Sequence, residues 1–112
     1  MTHIEYSKVF VETPVFAQAR AANLTDDEFR AVQTLLAINP MAGDLLQGCR
    51  GLRKIRWGSK HRGKRGGVRI LYYWAVGRDQ ILLLDLFAKN ESDDLTSKQY
   101  KALVSYLKKE YP

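Results

Sequence analysis

The amino-acid sequence predicts a single α+β domain, residues 1–112, in which helices cover one face of a small, mostly antiparallel sheet and leave the other face open. Three observations support this prediction. Strand-like and helix-like segments follow one another in the order strand, helix, helix, three strands, helix. Two helices begin with a capping box, and the three consecutive strands read as an antiparallel meander. At 112 residues and 46% apolar content, the chain can bury one core but not two.

The N-terminal part predicts one strand and a short helix. Ile4–Val11 has the composition of a strand, which ends where the turn residues Thr13 and Pro14 follow. Pro14 suits the first turn of a helix, because its missing N–H would have no intrahelical partner there. This helix is expected to run to about Ala22.

A second helix has clearer end signals. Thr25 and Glu28 have the spacing of a capping box, and Leu24 and Phe29 have that of a hydrophobic staple. The helix is expected to end at Asn39, because the next residue is proline. Between these ends, apolar side chains recur at helical intervals and form one core-facing stripe: Phe29, Val32, Leu35 and Leu36.

The second half of the chain predicts three strands and a closing helix. The strands are Leu52–Trp57, Val68–Val76 and Gln80–Ala88, with turn residues before the last of them. The helix begins after Thr96, which has capping-box spacing with Gln99. Its apolar stripe consists of Tyr100, Leu103, Val104 and Leu107, and Leu95 forms a staple with the first of these.

Positive charge is concentrated in the middle of the chain. Between Asp44 and Asp79 there are ten Lys or Arg residues and no acid, whereas the rest of the chain has eight bases and twelve acids. A local charge of this density favours a polyanion, and nucleic acid is the usual candidate. Apolar residues are interleaved with the charges at Leu52, Ile55 and Trp57, which indicates a folded strand rather than a solvated tail.

Several other functional classes have little support. Cys49 is the only cysteine, so the chain has no internal disulfide and fits a reducing compartment. Neither His3 nor His61 lies in a sequence context that suggests it activates Cys49 as a nucleophile. One cysteine and two distant histidines also lack the spacing of zinc ligands. The apolar run Ile81–Leu84 is too short to span a bilayer. We therefore expect a cytoplasmic protein that needs neither metal nor other cofactor and does not bind membranes.

The alternation of side chains along a strand predicts which charges meet. Lys54 and Arg56 point to the same face of their strand, and Arg69 and Tyr73 share a face of the next one. In the last strand, Phe87 and Lys89 are expected on that same face, together with Asp85 and opposite Leu82, Leu84 and Leu86. Cations beside aromatic rings suit single-stranded RNA, although Tyr73 and Phe87 are equally well explained as ordinary core aromatics.

A family resemblance runs through three stretches of the chain: Gly51–Arg56, Gly63–Tyr73 and Leu83–Leu95. Together with the element order and the length, they are similar to toxins of the RelE superfamily of bacterial toxin–antitoxin systems, especially its HigB-like branch. The resemblance implies a RelE-like fold and a toxin that cleaves messenger RNA in the ribosomal A site without metal. It also implies silencing by a helix-turn-helix antitoxin, whose complex with the toxin binds operator DNA.

The resemblance also implies roles for individual residues. RelE-like toxins use bases of the open face to drive attack of an RNA 2′-hydroxyl on the adjacent phosphate. Arg69 matches the family's arginine on the central strand, which stabilises phosphate charge, and Lys54 or Lys89 would act as base or acid. The implied catalytic set is Lys54, Arg56, Arg65, Arg69 and Lys89. The implied RNA-binding set is Lys60, Arg62, Lys64, Tyr73 and Phe87.

The sequence departs from the family at two places. Some relatives have an arginine where Asn90 stands and a tyrosine near the position of Thr96, so that either Arg65 and an aromatic residue, Tyr73 or Phe87, substitute for them or cleavage is less efficient. Two alternatives therefore stay open. One is a non-catalytic toxin of the ParE type, which acts on DNA gyrase, and the other is an RNA-binding or ribosome-associated module without chemistry.

Overall fold

The computed structural model of this protein describes residues 2–5, 8–58, 67–88 and 94–112, and for residues 2–5 only the course of the backbone. The strands of these residues are β1 (Thr2–Glu5), β2 (Lys8–Glu12), β3 (Asp44–Leu45), β4 (Leu52–Trp57), β5 (Val68–Ala75) and β6 (Gln80–Ala88). The helices are α1 (Pro14–Asn23), α2 (Asp26–Ile38) and α3 (Ser97–Glu110). A single 3₁₀ turn, Val76–Arg78, joins β5 to β6.

The strands form one mixed sheet in the order β1-β2-β6-β5-β4-β3. β2 lies parallel to β6, and every other neighbouring pair is antiparallel. β4, β5 and β6 are the predicted meander and occupy the middle of the sheet. The predicted α+β class and the antiparallel-rich sheet are therefore confirmed.

Two details at the sheet edges differ from the prediction. The single strand expected at Ile4–Val11 is instead an antiparallel pair, β1 and β2, in which Glu5 is the partner of Lys8. The two residues between them, which the structure does not describe, include no Gly, Asn or Asp, so the sequence lacks the usual signal of a two-residue hairpin loop. The edge strand β3 has only two residues, which is too short for any periodic pattern to reveal.

Side-chain caps define the helix ends as the sequence predicts. Thr25 Oγ1 accepts from the Glu28 N–H at 3.1 Å, and Glu28 Oε1 accepts from the Thr25 N–H at 2.9 Å. Thr96 and Gln99 form the same reciprocal pair at the start of α3. Each box satisfies backbone donors that have no partner inside the helix.

One face of the sheet, which we call the first face, is covered by α1 and α2. Phe16, Val32 and Leu36 of these helices pack in one apolar cluster with Ile70 and Tyr72 of β5. The buried Tyr72 hydroxyl donates to the Pro40 carbonyl at 2.7 Å and accepts from the Gly43 N–H at 2.8 Å. Gly43 is required there, because a Cβ on it would lie 2.7 Å from the Tyr72 ring.

The opposite face, which we call the second face, is only partly open. Leu107 of α3 is fully buried in a second apolar cluster with Leu52, Leu71 and Leu82, and Leu103 packs against it. Our expectation that all helices share one side is therefore wrong for α3. The apolar residues that β4, β5 and β6 present on this face need a cover, and the stripe of α3 supplies it.

A β-bulge in β6 changes which of its side chains reach the second face. The β5–β6 register shifts between Leu71, which pairs with Asp85, and Tyr72, which pairs with Leu83. Leu84 is the extra residue, and its carbonyl accepts a hydrogen bond from the Thr13 hydroxyl at 2.8 Å. Leu82 and Leu84 consequently share the second apolar cluster with Phe87. The predicted alternation, which assigned them to the opposite face, is wrong because a bulge reverses strand parity.

Candidate nucleic-acid interface

Three cations of β4 and β5 lie together on the second face. Arg56 and Arg69 are direct partners across the antiparallel pair, and Lys54 lies two residues before Arg56 on the same side of β4. Side chains of directly opposed residues start about 4.5–5.5 Å apart, and like charges in that position destabilise the sheet. Guanidinium groups are well suited to bind anions that carry several oxygens. The sequence predicts that these three residues converge with Lys89, which lies outside the described residues; the strand register places the three on one face, and their role as a site stays a prediction.

Arg56 and Arg69 differ in their surroundings. The Arg56 side chain is exposed, and it forms no ion pair with any residue that the structure describes. Arg69 is half-buried between Arg56 on one side and Phe87 on the other. Arg69 thus lies where the apolar part of the second face ends and its charged part begins.

Lys54 belongs to a network that sequence reasoning missed. Its Nζ lies 3.3 Å from Asp94 Oδ2 and 3.4 Å from the Tyr100 hydroxyl oxygen, and that hydroxyl donates to Asp94 Oδ1. Asp94 precedes α3 and Tyr100 lies in its first turn. The sequence assigns Tyr100 only to the apolar stripe, and no local pattern reveals a contact with a residue 46 positions away.

The network sets the protonation of its members. Burial raises the pKa of Tyr100, and the hydrogen bond to Asp94 and the charge of Asp94 raise it further, so that the phenol keeps its proton at neutral pH. Burial alone would raise the pKa of Asp94, but hydrogen bonds from Tyr100 and the Leu95 N–H, together with the Lys54 charge, lower it overall. Lys54 Nζ thus lies beside a carboxylate and a phenol as well as on the face that carries Arg56 and Arg69.

The two aromatic residues predicted to stack on RNA bases are packed against protein. Phe87 is 8% exposed and belongs to the second apolar cluster. Tyr73 packs against the same cluster, and its ring meets that of Tyr111 edge-on at a centroid distance of 5.6 Å. Of the two interpretations that the sequence left open, core packing describes both rings in this structure.

Polar contacts hold the C-terminal end of α3 over the second face. Arg50 Nη1 donates to the Tyr111 carbonyl at 2.8 Å, and the Tyr111 hydroxyl donates to Gln80 Oε1 at 2.6 Å. The Arg78 guanidinium lies 4.4 Å from the centre of the Tyr111 ring. Two of the ten cations of the acid-free segment therefore anchor the helix, which leaves fewer of them for a ligand.

Five predicted site residues lie outside the described residues: Arg65 and Lys89 of the catalytic set, and Lys60, Arg62 and Lys64 of the RNA-binding set. Their roles stay predictions. Cys49 is reduced and half-buried in the turn before β4. In the described part of the chain, no three His, Cys, Asp or Glu side chains are grouped to hold a metal ion. No helix in those residues has the length and apolar character to cross a membrane.

Comparisons with known proteins identify the fold. No protein-family model matches this chain. A chain of the crystal structure of the intact E. coli RelBE toxin–antitoxin complex is similar to it with a TM-score of 0.53 at 12% identity, over 70% of this chain and 93% of that one. The crystal structure of the isolated E. coli RelE toxin is similar with a TM-score of 0.52 at 14% identity, over 88% and 96%. The predicted RelE-like fold is confirmed, and the HigB-like branch stays a prediction.

Proposed function

We propose that this protein is the toxin of a type II toxin–antitoxin system and inhibits translation by cleaving messenger RNA in the ribosomal A site. The observation that carries the proposal is the direct pairing of Arg56 with Arg69, beside Lys54, on the second face. The fold alone supports a toxin of either the RelE or the ParE type. The paired cations favour the nuclease, because inhibition by protein contact alone does not require adjacent guanidinium groups.

The proposed reaction is an attack of the RNA 2′-oxygen on the adjacent phosphorus. The bond from phosphorus to the 5′-oxygen breaks, which leaves a 2′,3′-cyclic phosphate and a 5′-hydroxyl. Negative charge builds on the phosphate oxygens as the new bond forms. Arg56 and Arg69 would stabilise that charge, since guanidinium forks match phosphate oxygens.

Two protons must also move in this reaction. The 2′-hydroxyl loses one, and the departing 5′-oxygen gains one. Lys89 is one sequence-based candidate for these transfers. Lys54 is the other sequence-based candidate, and it lies within the described residues. General acid–base help of this kind typically contributes about 10²–10⁴ in rate.

A reconstituted translation reaction tests the proposal. We expect the pure protein to cut messenger RNA within codons that occupy the A site, and mapping of 5′ ends locates the cuts. The cutting should persist with a chelator specific for transition metals, which leaves the magnesium that ribosomes need. Arrest of translation with intact messenger RNA would support the RNA-binding or ribosome-associated module. Inhibition of gyrase supercoiling with intact messenger RNA would support the ParE-type alternative.

We further propose that a cognate helix-turn-helix antitoxin silences the protein and that only their complex binds operator DNA. The similar chain in the RelBE toxin–antitoxin complex supports an antitoxin partner. The ten cations between Asp44 and Asp79 favour an acidic covering segment. Co-expression with the adjacent gene tests this point. A neighbour that neither binds the protein nor restores growth would contradict it.

A further inference from the structure

A groove runs along α3 on the side that faces the turn before β4. It has a volume of about 560 Å³, and its walls include Cys49 on one side and Tyr100, Lys101, Val104 and Lys108 on the other. The four α3 residues recur at helical spacing and therefore form one stripe. This volume lies within the range of protein pockets that bind small ligands, roughly 300–1,000 Å³.

The groove is also cationic, and its lysines do not belong to the basic segment between Asp44 and Asp79. α3 carries four lysines, Lys98, Lys101, Lys108 and Lys109, against the single acid Glu110. Lys101 and Lys108 line the groove, are exposed, and form no ion pair with any described residue. They lie seven residues apart, or about 10 Å along the helix axis. Two unpaired cations at that spacing suit an extended anionic chain rather than one small anion.

The groove adjoins the cation cluster of β4 and β5 through a shared residue, Tyr100. Tyr100 forms part of its wall, and the hydroxyl of the same residue contacts Lys54 and Asp94. A strand whose phosphate lies against Arg56 and Arg69 can therefore pass Tyr100 and enter the groove. We take RNA rather than an acidic peptide as the occupant, because the strand proposed to lie at Arg56 and Arg69 is RNA.

We infer that the groove between α3 and the turn before β4 binds single-stranded RNA, as a second backbone-binding stretch for the strand held at Arg56 and Arg69. The inference rests on the proposed function for its substrate class. Lys101 and Lys108 each neutralise a phosphate, and the partly apolar wall at Val104 and Tyr100 contacts the intervening ribose and base. Single-strand sites commonly combine cations with such surfaces.

Cys49 provides a direct reporter, since it lines the groove and is the only cysteine of the chain. The experiment measures the rate of Cys49 alkylation by iodoacetamide while a 2′-O-methyl oligoribonucleotide, which cannot be cleaved by 2′-hydroxyl attack, is titrated. We expect the rate to fall severalfold as the oligonucleotide binds. Full reactivity at saturating oligonucleotide would overturn the inference. Protection by the antitoxin but not by RNA would also overturn it, in favour of a protein partner.

Paired lysine variants provide the matched control. Each neutralised phosphate contributes about 0.7 to the slope of log affinity against log salt for a single strand. Lys101→Ala with Lys108→Ala should therefore lower that slope by about 1.4. Lys98→Ala with Lys109→Ala removes the same charge from the same helix outside the groove and should change the slope much less. Equal effects of the two pairs would overturn the inference.

Messenger RNA cleavage by the wild-type protein is measured separately. Cleavage without Cys49 protection and without a difference between the lysine pairs would reject the groove alone. Protection of Cys49 in a protein that does not cleave RNA would reject the nuclease proposal and keep the groove as a binding site.

Discussion

The two faces of the sheet differ in how their charged side chains are arranged. On the first face, Glu12 is buried and paired with Arg20 at 3.0 Å, and Arg20 in turn lies over the Phe29 ring. On the second face, Arg56 is exposed beside Arg69. The first face pairs its buried charge inside the core, whereas the second face places two arginines at directly opposed positions of neighbouring strands. Like charges at such positions do not by themselves favour a sheet, which makes the second face the better candidate for an anionic ligand.

The second face is itself divided. Its apolar part lies under α3 around Leu107, and its charged part begins at Arg69. Asp94 and Tyr100 stand at the boundary and connect the start of α3 to Lys54. α3 therefore covers the core and borders the candidate site at the same time.

The largest expected effect concerns the charged part of the second face. Arg69→Ala should lower the rate of messenger RNA cleavage by about 10²–10³, because it removes a donor to the developing phosphate charge. Single-turnover cleavage in the reconstituted reaction measures this effect. Arg30→Ala, which removes an exposed arginine from α2, should leave the rate unchanged. Undiminished cleavage by a folded Arg69→Ala protein would exclude Arg69 from the active site.

The next largest expected effect is a loss of stability when a buried leucine is removed from the apolar part of either face. Leu36 in α2 and Leu107 in α3 are both fully buried, so Leu36→Ala and Leu107→Ala should each lower the free energy of unfolding by about 2–5 kcal/mol. We expect the smaller loss for Leu107→Ala, since a single covering helix can shift to fill part of the cavity. Urea unfolding measures both. Leu45→Ala, at a side chain that is 58% exposed, is the control and should change little. A negligible loss for Leu107→Ala would contradict the packing of α3.

The smallest expected effect concerns two carboxyls with opposite pKa directions. Burial raises the pKa of Asp85, although its hydrogen bond from the Leu86 N–H opposes this, so the charged form destabilises the fold above the ordinary pKa of 3.8. The pKa of Asp94 is lowered, so the charged form stabilises the fold above 3.8, and this contribution is lost as pH falls through the lowered value. At neutral pH, Asp85→Asn should therefore stabilise the protein, and Asp94→Asn should destabilise it by less than about 1 kcal/mol.

Thermal unfolding from pH 7 down to pH 3 tests whether Asp85→Asn stabilises the protein and Asp94→Asn destabilises it. The advantage of Asp85→Asn over the wild type should shrink as pH falls toward 3.8, because the wild-type carboxyl then becomes neutral. The disadvantage of Asp94→Asn should also shrink, but only below 3.8. A change in stability of the same sign for both variants at pH 7 would contradict the opposite pKa directions of Asp85 and Asp94.

The helices and the core strands were predictable because their signals are local. Thr25 with Glu28 and Thr96 with Gln99 place two helix starts by contacts three residues apart. Strand parity places Lys54 with Arg56 and Arg69 with Tyr73, and the predicted pairing of the two strands then brings the two sets to one face. The predicted alternation of faces was wrong in β6, because Leu84 is an extra residue in that strand, and its carbonyl accepts a hydrogen bond from the distant Thr13 hydroxyl.

The sequence by itself therefore determined the three helices, their caps, the three central strands and which cations share a face of each strand, since each depends on neighbours within one turn or one strand. Only the tertiary structure decided that α3 packs on the second face, that Asp94 and Tyr100 contact Lys54, and that Tyr73 lies against Tyr111. These contacts join residues far apart in the chain. Which of these contacts form depends on the arrangement of helices that buries the most apolar area of the whole sheet. A local sequence pattern does not contain that information.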